Sequence, residues 1–212
     1  TTQGDFETGV VIIAGAATRK KLGVPGEEEF IGRGVSYCAT CDAPLFQDKM
    51  VAVVGGGDAA ITEALHLAKF AAKVTLIHRR DELRATVLLR DRVLGEPKID
   101  ILWDTTVDEV VGETLVKRLK LNNVKTGAKA VLELDGIFVS IGFMPDTGFL
   151  KGVVHLDPIG HIITNDKMET DVPGILAAGD IRNSSVRQAI TAAGDGATAA
   201  VTVEHFLNEQ QK

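Results

Sequence analysis

The apolar run Met50-Val51-Ala52-Val53-Val54 ends directly in Gly55-Gly56-Gly57-Asp58-Ala59-Ala60, and this junction leaves the chain few folds to choose from. A short unbroken apolar run reads as a strand buried on both faces, as in a parallel sheet. Behind the glycines, Ile61, Leu65 and Ala68 share one helical face with Ala64 beside them, so the spacing predicts a helix over 58–70. A second strand is expected over 74–77, and strand, glycine turn, helix and strand make one βαβ unit. Gly55-x-Gly57-x-x-Ala60 fits the dinucleotide-binding fingerprint in its required setting, after a strand and opening a helix. Gly55 makes the tight turn, Gly57 lets a pyrophosphate approach the backbone, and Ala60 permits close helix–strand packing. Gly56, Asp58 and Ala59 complete the cradle, where free N–H groups and the helix dipole attract phosphate. A second match, Gly194-Asp195-Gly196-Ala197-Thr198-Ala199, lies inside an expected helix with no strand before it and is read as chance.

The end of the second strand carries a further signal. An NAD site places a carboxylate there, about 20 residues after the glycines, to bind the ribose 2′-hydroxyl. Here His78-Arg79-Arg80 stands 23 residues after Gly55, with Arg84 one turn on. Cations bind a 2′-phosphate, each charge-assisted hydrogen bond contributing roughly 1.5–3 kcal/mol. The reading is therefore NADPH, held by His78, Arg79, Arg80 and Arg84. The bland alternative is a solvated basic helix start paired with Asp81 and Glu82.

The chain's two cysteines lie together in Cys38-Ala39-Thr40-Cys41, followed by Asp42. A secreted scaffold would show several pairs at wider spacing. A lone C-x-x-C beside a nicotinamide-type site implies a working dithiol in a reducing, cytoplasmic compartment. A structural bridge would close too small a loop to restrict the unfolded chain much. Zinc needs about four ligands, and no second cysteine pair exists, while the five histidines are scattered, so no metal is expected. The formal charge of −6 argues against a nucleic-acid or membrane surface. No apolar run approaches the ~20 residues that cross a bilayer, and the polar start, Thr1 to Asp5, lacks the features of a signal peptide.

Along the rest of the chain, short strands are expected at 6–8 and 10–14, and a Gly- and Pro-containing linker at 22–34. A helix is expected over 82–94, a strand over 99–103, and an antiparallel meander over 107–134 with a turn at Thr126-Gly127. Buried strands follow at 137–141 and 175–178, then an Ala-rich helix over 187–208. The pattern is α/β with a small antiparallel insertion.

In order and spacing, five motifs resemble the low-molecular-weight, bacterial-type thioredoxin reductases. They are Cys38-Ala39-Thr40-Cys41-Asp42, the Gly55 to Ala60 turn, His78-Arg79-Arg80-Asp81-Glu82-Leu83-Arg84-Ala85, Ala177-Ala178-Gly179-Asp180 and Arg187-Gln188-Ala189-Ile190-Thr191. The resemblance implies FAD and NADPH as cofactors, a homodimer, and thioredoxin or a similar small disulfide protein as partner. The implied fold is of the three-layer flavin disulfide reductase type. A Rossmann-like NADPH-binding domain with an antiparallel β insertion, residues 24–148, is inserted in a partial FAD domain formed by 1–23 and 149–212. By resemblance, Gly179 and Asp180 lie against the ribityl–phosphate region of the flavin cofactor, and Arg187, Gln188 and Ala189 against its ring. Ile141 and Gly142 also count among the cofactor-binding residues. Cys41 is implied to face the flavin, Cys38 to attack the partner disulfide, and Asp42 to give or take a proton. The dithiol and the NADPH site share one domain, so a rotation with hinges near 23–34 and 142–148 would present them to the flavin in turn.

The chain departs from the family pattern in three places. The first glycine fingerprint, which binds the ADP half of FAD, is not among these residues, so the strands at 10–13 and 175–178 are expected to show apolar faces and open edges. Ala14-Gly15-Ala16 replaces the usual Ala-Thr-Gly, and Ala43 follows Cys-Asp where Gly is usual. Alternative readings are an NADPH-binding module without catalysis, and a related flavin disulfide reductase serving a peroxidase or drawing on ferredoxin.

Overall fold

The computed structural model describes residues 4–210. Two compact units emerge, a central one, Arg19–Gly142, and an outer one built from the residues before and after it. The chain crosses between them at 18/19 and 142/143, a few residues before the boundaries read from the sequence. Residues 6–8 do not form the expected strand: no neighbour pairs with them, and Phe6 is exposed. The first strands are β1 (Val11–Ile13) and β2 (Ala17–Arg19).

The central unit runs through β3 (Val35–Ser36), α1 (Ala39–Asp42), β4 (Met50–Val54), α2 (Asp58–Leu67) and β5 (Lys73–Ile77). It continues with α3 (Val87–Leu94) and β6 (Ile99–Leu102). An antiparallel meander, β7 (Thr105–Gly112), β8 (Val116–Asn123) and β9 (Lys129–Glu133), then leads to β10 (Gly136–Val139). The main sheet is parallel, in the order β3-β10-β4-β5-β6. The unbroken apolar pattern of β4 has a direct cause. Val51 and Val53 pack under α2 with Ile61, Ala64 and Leu67. Ala52 and Val54 face the meander with Val107, Val110, Leu119 and Leu121. The meander covers only one face of the sheet, so its strands alternate: Val116, Leu119 and Leu121 are buried while Lys117, Arg118 and Lys120 are exposed. Its turn closes where Asn123 accepts the amides of Lys125 and Thr126, at 3.1 and 2.9 Å, and Gly127 takes φ +73°.

The sheet reverses direction of build between β4 and β10. Ligands of parallel α/β sheets bind outside the carboxyl ends of the strands at such a point, and Gly55 stands there. The helix expected over 82–94 is shorter, because residues 79–86 are strapped to the glycine turn instead: Arg84 N–H donates to the Gly56 carbonyl at 2.8 Å.

In the outer unit, β11 (Phe143–Pro145) pairs with β2, and β12 (Ile175–Ala177) pairs in parallel with β1. The last element is α4 (Ala189–Gln210). The apolar exposure expected of both strands holds for β1, where Val11 and Ile12 are 44% and 41% exposed, and not for β12. Leu176 and Ala178 are buried with Met168 and Ala199 of α4, and Ala177 is buried with Ile162 and Ile181. Helix α4 starts at Ala189 rather than 187, since Arg187 sits at φ +60°, outside the helical region. Gly194–Ala199 is helical, in keeping with the sequence reading. Among the described residues no helix is long and apolar enough to cross a membrane.

Candidate functional site

The dinucleotide turn is shaped by sterics on three sides. A Cβ on Gly55 would come within 2.4 Å of the Ser140 carbonyl oxygen and 2.5 Å of the Ala60 Cβ, and one on Gly56 within 2.2 Å of the His78 ring. A Cβ on Gly57 would meet nothing within 4 Å. The first two glycines are thus required by packing, and the third leaves an open concavity. By helix geometry the amides of Gly57, Asp58, Ala59 and Ala60 have no intrahelical acceptor, so they are free to face an anion there. The Asp58 carboxylate does not crowd them, because it accepts the Thr86 amide at 2.7 Å. Ile141 and Gly142 follow β10 beside the switch point; Ile141 packs on the meander-side core and Gly142 takes φ +107°.

His78 is placed differently from Arg79, Arg80 and Arg84. Its ring is buried beneath the turn, with Nδ1 2.9 Å from the Gly55 carbonyl and Nε2 3.0 Å from the Glu82 carbonyl. The imidazole thus sits between the glycine turn and the basic loop, one ring nitrogen facing a carbonyl of each. The three arginines are exposed. The acids that the bland reading assigned to them are engaged elsewhere: Asp81 pairs with Lys125 at 2.7 Å, and Glu82 with Arg90 at 2.6 Å. Lys125 holds the Asp81 carboxyl below its ordinary range through that hydrogen bond. Among the described residues no carboxylate pairs with Arg79, Arg80 or Arg84, so three exposed cations stand at the strand end.

Cys38 and Cys41 are joined in a disulfide with Cα atoms 5.3 Å apart. Cys38 caps the short helix α1, its Sγ accepting the Cys41 amide at 3.2 Å. Cys41 is exposed and Cys38 half-buried. The Asp42 carboxylate Oδ2 accepts the Ser36 hydroxyl at 2.6 Å, and the same Ser36 Oγ accepts the Cys38 amide at 3.1 Å. One residue before the dithiol, the Tyr37 hydroxyl donates to Glu27 at 2.9 Å. Glu27 is buried, and it also accepts the amides of Leu22 and Gly23 at 2.8 and 2.7 Å. Burial, reinforced by Glu27, pushes the Tyr37 hydroxyl well above its ordinary value, so it stays a donor. Ser36, Tyr37 and Glu27 were missed in the sequence reading. Their types are common in structural roles, and nothing in local spacing shows that they converge on the dithiol loop. Among the described residues no group of His, Cys, Asp and Glu is arranged to hold a metal.

The remaining candidates lie in the outer unit. Gly179 takes φ +79° and its amide donates to Asp195 at 3.1 Å. Asp180 accepts the Ser185 hydroxyl at 2.9 Å. Arg187 stacks over Phe143 at 4.5 Å, and its buried Nε has no hydrogen-bond partner. Gln188 is half-buried and Ala189 opens α4. The segment is pinned by Arg182, whose Nε and Nη2 both reach Asp195, at 2.6 and 2.8 Å.

Known proteins resemble this chain over nearly all of its length. The pyridine nucleotide-disulphide oxidoreductase family matches residues 2–196. A thioredoxin reductase of Treponema pallidum is 48% identical over 211 residues, covering 100% of this chain and 68% of that protein. One of Bacillus subtilis is 46% identical over 209 residues, covering 98% and 66%. The crystal structure of thioredoxin reductase from Streptococcus pyogenes superposes with a TM-score of 0.88 at 47% identity, over 94% of this chain and 66% of that one. The chain thus spans about two thirds of the length of these relatives. With the glycine turn, the basic strand end and the cysteine pair all in place, it belongs to the pyridine nucleotide-disulphide oxidoreductases, among the bacterial-type thioredoxin reductases.

Proposed function

We propose that the chain acts in NADPH-dependent reduction of a protein disulfide, thioredoxin or a protein like it, with Cys38–Cys41 as the redox couple. One observation carries the reading: the disulfide and a phosphate cradle rimmed by three arginines without carboxylate partners lie on one compact unit. Thioredoxin reductases of this family use FAD and NADPH. Bound FAD supplies the carrier that links a hydride donor to a dithiol. The residues present fit NADPH and the flavin half of FAD. The open side of Gly57 and the free amides of Asp58 and Ala59 suit a pyrophosphate, and Arg79, Arg80 and Arg84 a 2′-phosphate. In the outer unit, the unpartnered Arg187 Nε and the start of α4 offer positive charge to a reduced flavin. Gly179, Asp180, Gln188 and Ala189 complete that set.

Reduction of Cys38–Cys41 takes up two electrons and two protons and gives two thiols. The Cys38 thiolate then attacks one sulfur of the partner disulfide, breaking that S–S bond and forming a mixed disulfide. The Cys41 thiolate attacks Cys38 Sγ, releasing the partner as a dithiol and restoring Cys38–Cys41. Asp42 gives its proton to a departing thiolate and regains it when the next thiol ionises. The lone dithiol fits a reducing, cytoplasmic setting and a homodimer fits the family; sedimentation of the purified protein tests the latter.

The test is NADPH-driven thioredoxin reduction by the purified protein supplied with FAD. Turnover is expected, with Cys38→Ser and Cys41→Ser each abolishing it while leaving NADPH binding intact. A second reading, an NADPH-binding module without turnover, draws on the self-contained core of the central unit. A protein that binds NADPH, holds no flavin and turns nothing over decides for it. Failure to bind NADPH sinks both.

A further inference from the structure

Ser36 is buried at 7% exposure, yet its hydroxyl serves two groups of the dithiol loop at once. It accepts the Cys38 amide at 3.1 Å and donates to Asp42 Oδ2 at 2.6 Å. A hydroxyl has one proton and can both accept and donate, so the two bonds are mutually consistent and define its orientation. Asp42 belongs to a four-residue helix with no other side-chain hydrogen bond to its carboxylate among the described residues. Its χ1 and χ2 angles therefore have no other polar restraint. With Oδ2 held by Ser36, Oδ1 is the oxygen left to exchange a proton with a sulfur. We propose that Ser36 is the positioning residue of the proton-transfer acid: it reads the backbone of Cys38 through one bond and orients Asp42 through the other. This rests on the proton role assigned to Asp42 above.

The physical consequence is coupling. A general acid works only when held within hydrogen-bond reach of the atom it serves, and misplacement by about 1 Å is costly. Anchoring the acid to the Cys38 amide keeps acid and sulfur in one frame as the S–S bond opens and the loop adjusts.

The experiment uses the full chain and follows reduction of Cys38–Cys41 by dithiothreitol, which is oxidised to its cyclic disulfide as the two cysteines become thiols. Asp42→Asn is expected to slow the reaction by roughly a hundredfold or more, the lower edge of general acid catalysis. Ser36→Ala should slow it about five- to tenfold, the equivalent of one ordinary hydrogen bond. Ser36→Thr and Ser36→Val form a matched pair, differing only in the hydroxyl: Thr should keep the rate within about twofold and Val should match Ala. Because the two residues act as one device, Ser36→Ala added to Asp42→Asn should cost nothing further. NADPH binding by each variant reports that the same unit is folded. Equal rates for the Thr and Val variants, or additive losses in the double variant, overturn the proposal. If Asp42→Asn is slow while the Ser36 variants are not, only the positioning role falls. If Asp42→Asn is as fast as the parent, the proton role falls and takes the positioning role with it. A further measurement needs no change at Ser36. Hydrogen exchange of the Cys38 amide should quicken severalfold in Asp42→Ala, which removes the acceptor, if one hydroxyl bridges both groups, and unchanged exchange overturns the bridge.

Discussion

The central and outer units are built from the same kinds of strand and differ in how completely those strands are surrounded. In the central unit β4 has a parallel neighbour on each side, α2 above and the meander below, so every residue from Val51 to Val54 is buried. In the outer unit β1 has one partner among the described residues, β12, and two of its three residues are exposed. Helix α4 likewise buries Ala199 while Ile190 and Val201 stand 79% and 55% exposed. Cooperative stability follows the number of buried neighbours. The central unit therefore holds its site on two large apolar clusters, and the outer unit on two smaller ones, around Ile162 and around Met168, with the Arg182–Asp195 pair as a polar anchor. The difference also separates two kinds of chemistry: the central site is ready-made in stiff backbone, and the outer one is fastened by a few side chains.

That contrast can be broken most decisively at the ligand. Arg79→Ala with Arg80→Ala removes two charge-assisted contacts of roughly 1.5–3 kcal/mol each. NADPH affinity should fall by about 10²–10⁴ while NADH affinity barely moves, as read by titration of nicotinamide fluorescence. An equal loss for both nucleotides would show that these arginines do not read the 2′-phosphate.

Asp195→Asn tests the polar anchor of the outer unit. Both partners are nearly buried, at 14% and 10% side-chain exposure, and breaking such a pair leaves an uncompensated charge costing about 3 kcal/mol. The outer unit should melt earlier while NADPH binding by the central unit is kept. The Arg182 hydrogen bond holds the Asp195 carboxyl below its ordinary range. A depressed folded value means a contribution that is full above the unfolded carboxyl range, near about 3.9, and is lost as pH falls through the folded value. The parent's outer unit should thus weaken below that range, and the Asn variant should not share this acid step.

Within the central unit, two neighbouring glycines should fail in opposite ways. Gly56→Ala forces a methyl into the His78 ring and should cost about 1–3 kcal/mol of stability, as overpacking does. Gly57→Ala has space for its methyl, so stability should change by about 0.5 kcal/mol or less. Its methyl points into the phosphate concavity, and NADPH affinity should drop about tenfold, a loss near 1.4 kcal/mol. Normal binding by Gly57→Ala would mean that the phosphates lie elsewhere.

The smallest expected effect is at Glu63, on α2. Burial pushes its carboxyl up to about 7, partly opposed by a hydrogen bond with Ser140 and by Arg19, and its buried Oε2 has no hydrogen-bond partner. A raised folded value contributes fully below the unfolded range, near about 4.3, and that contribution is lost as pH rises through 7. Glu63→Gln should therefore leave stability unchanged near the acid end and raise it by roughly 1 kcal/mol in mild alkali, allowing for partial exposure. Equal stability of the two proteins across that range would remove Glu63 from the list of strained groups.

Much of the fold was legible because its signals are local. The unbroken run of β4, the glycines behind it and the stripe of α2 identify a βαβ unit without any distant partner. The alternation at Leu119 and Leu121 marks a sheet with one wet face. The cysteine pair and the arginines are legible for the same reason, since residue type and short spacing carry their chemistry. The 82–94 helix was too long as read, because its first turn is claimed by Gly56, a residue the helix pattern does not contain. The sequence marks β12 as an apolar, buried-type strand, but the expectation that its faces stand uncovered fails, because the cover supplied by α4 and Ile162 comes from elsewhere in the chain.

The amino-acid order by itself determined that a dinucleotide turn, a cationic strand end and a dithiol share this chain, since each depends on residues within a few positions of one another. Only the tertiary structure decided how they are supported. It put His78 beneath the turn rather than on its surface, turned Asp81 and Glu82 away from the arginines, and brought Ser36 between Cys38 and Asp42. Those outcomes depend on which buried polar atoms find partners once the core has closed, and desolvation makes every such choice a competition across the whole fold.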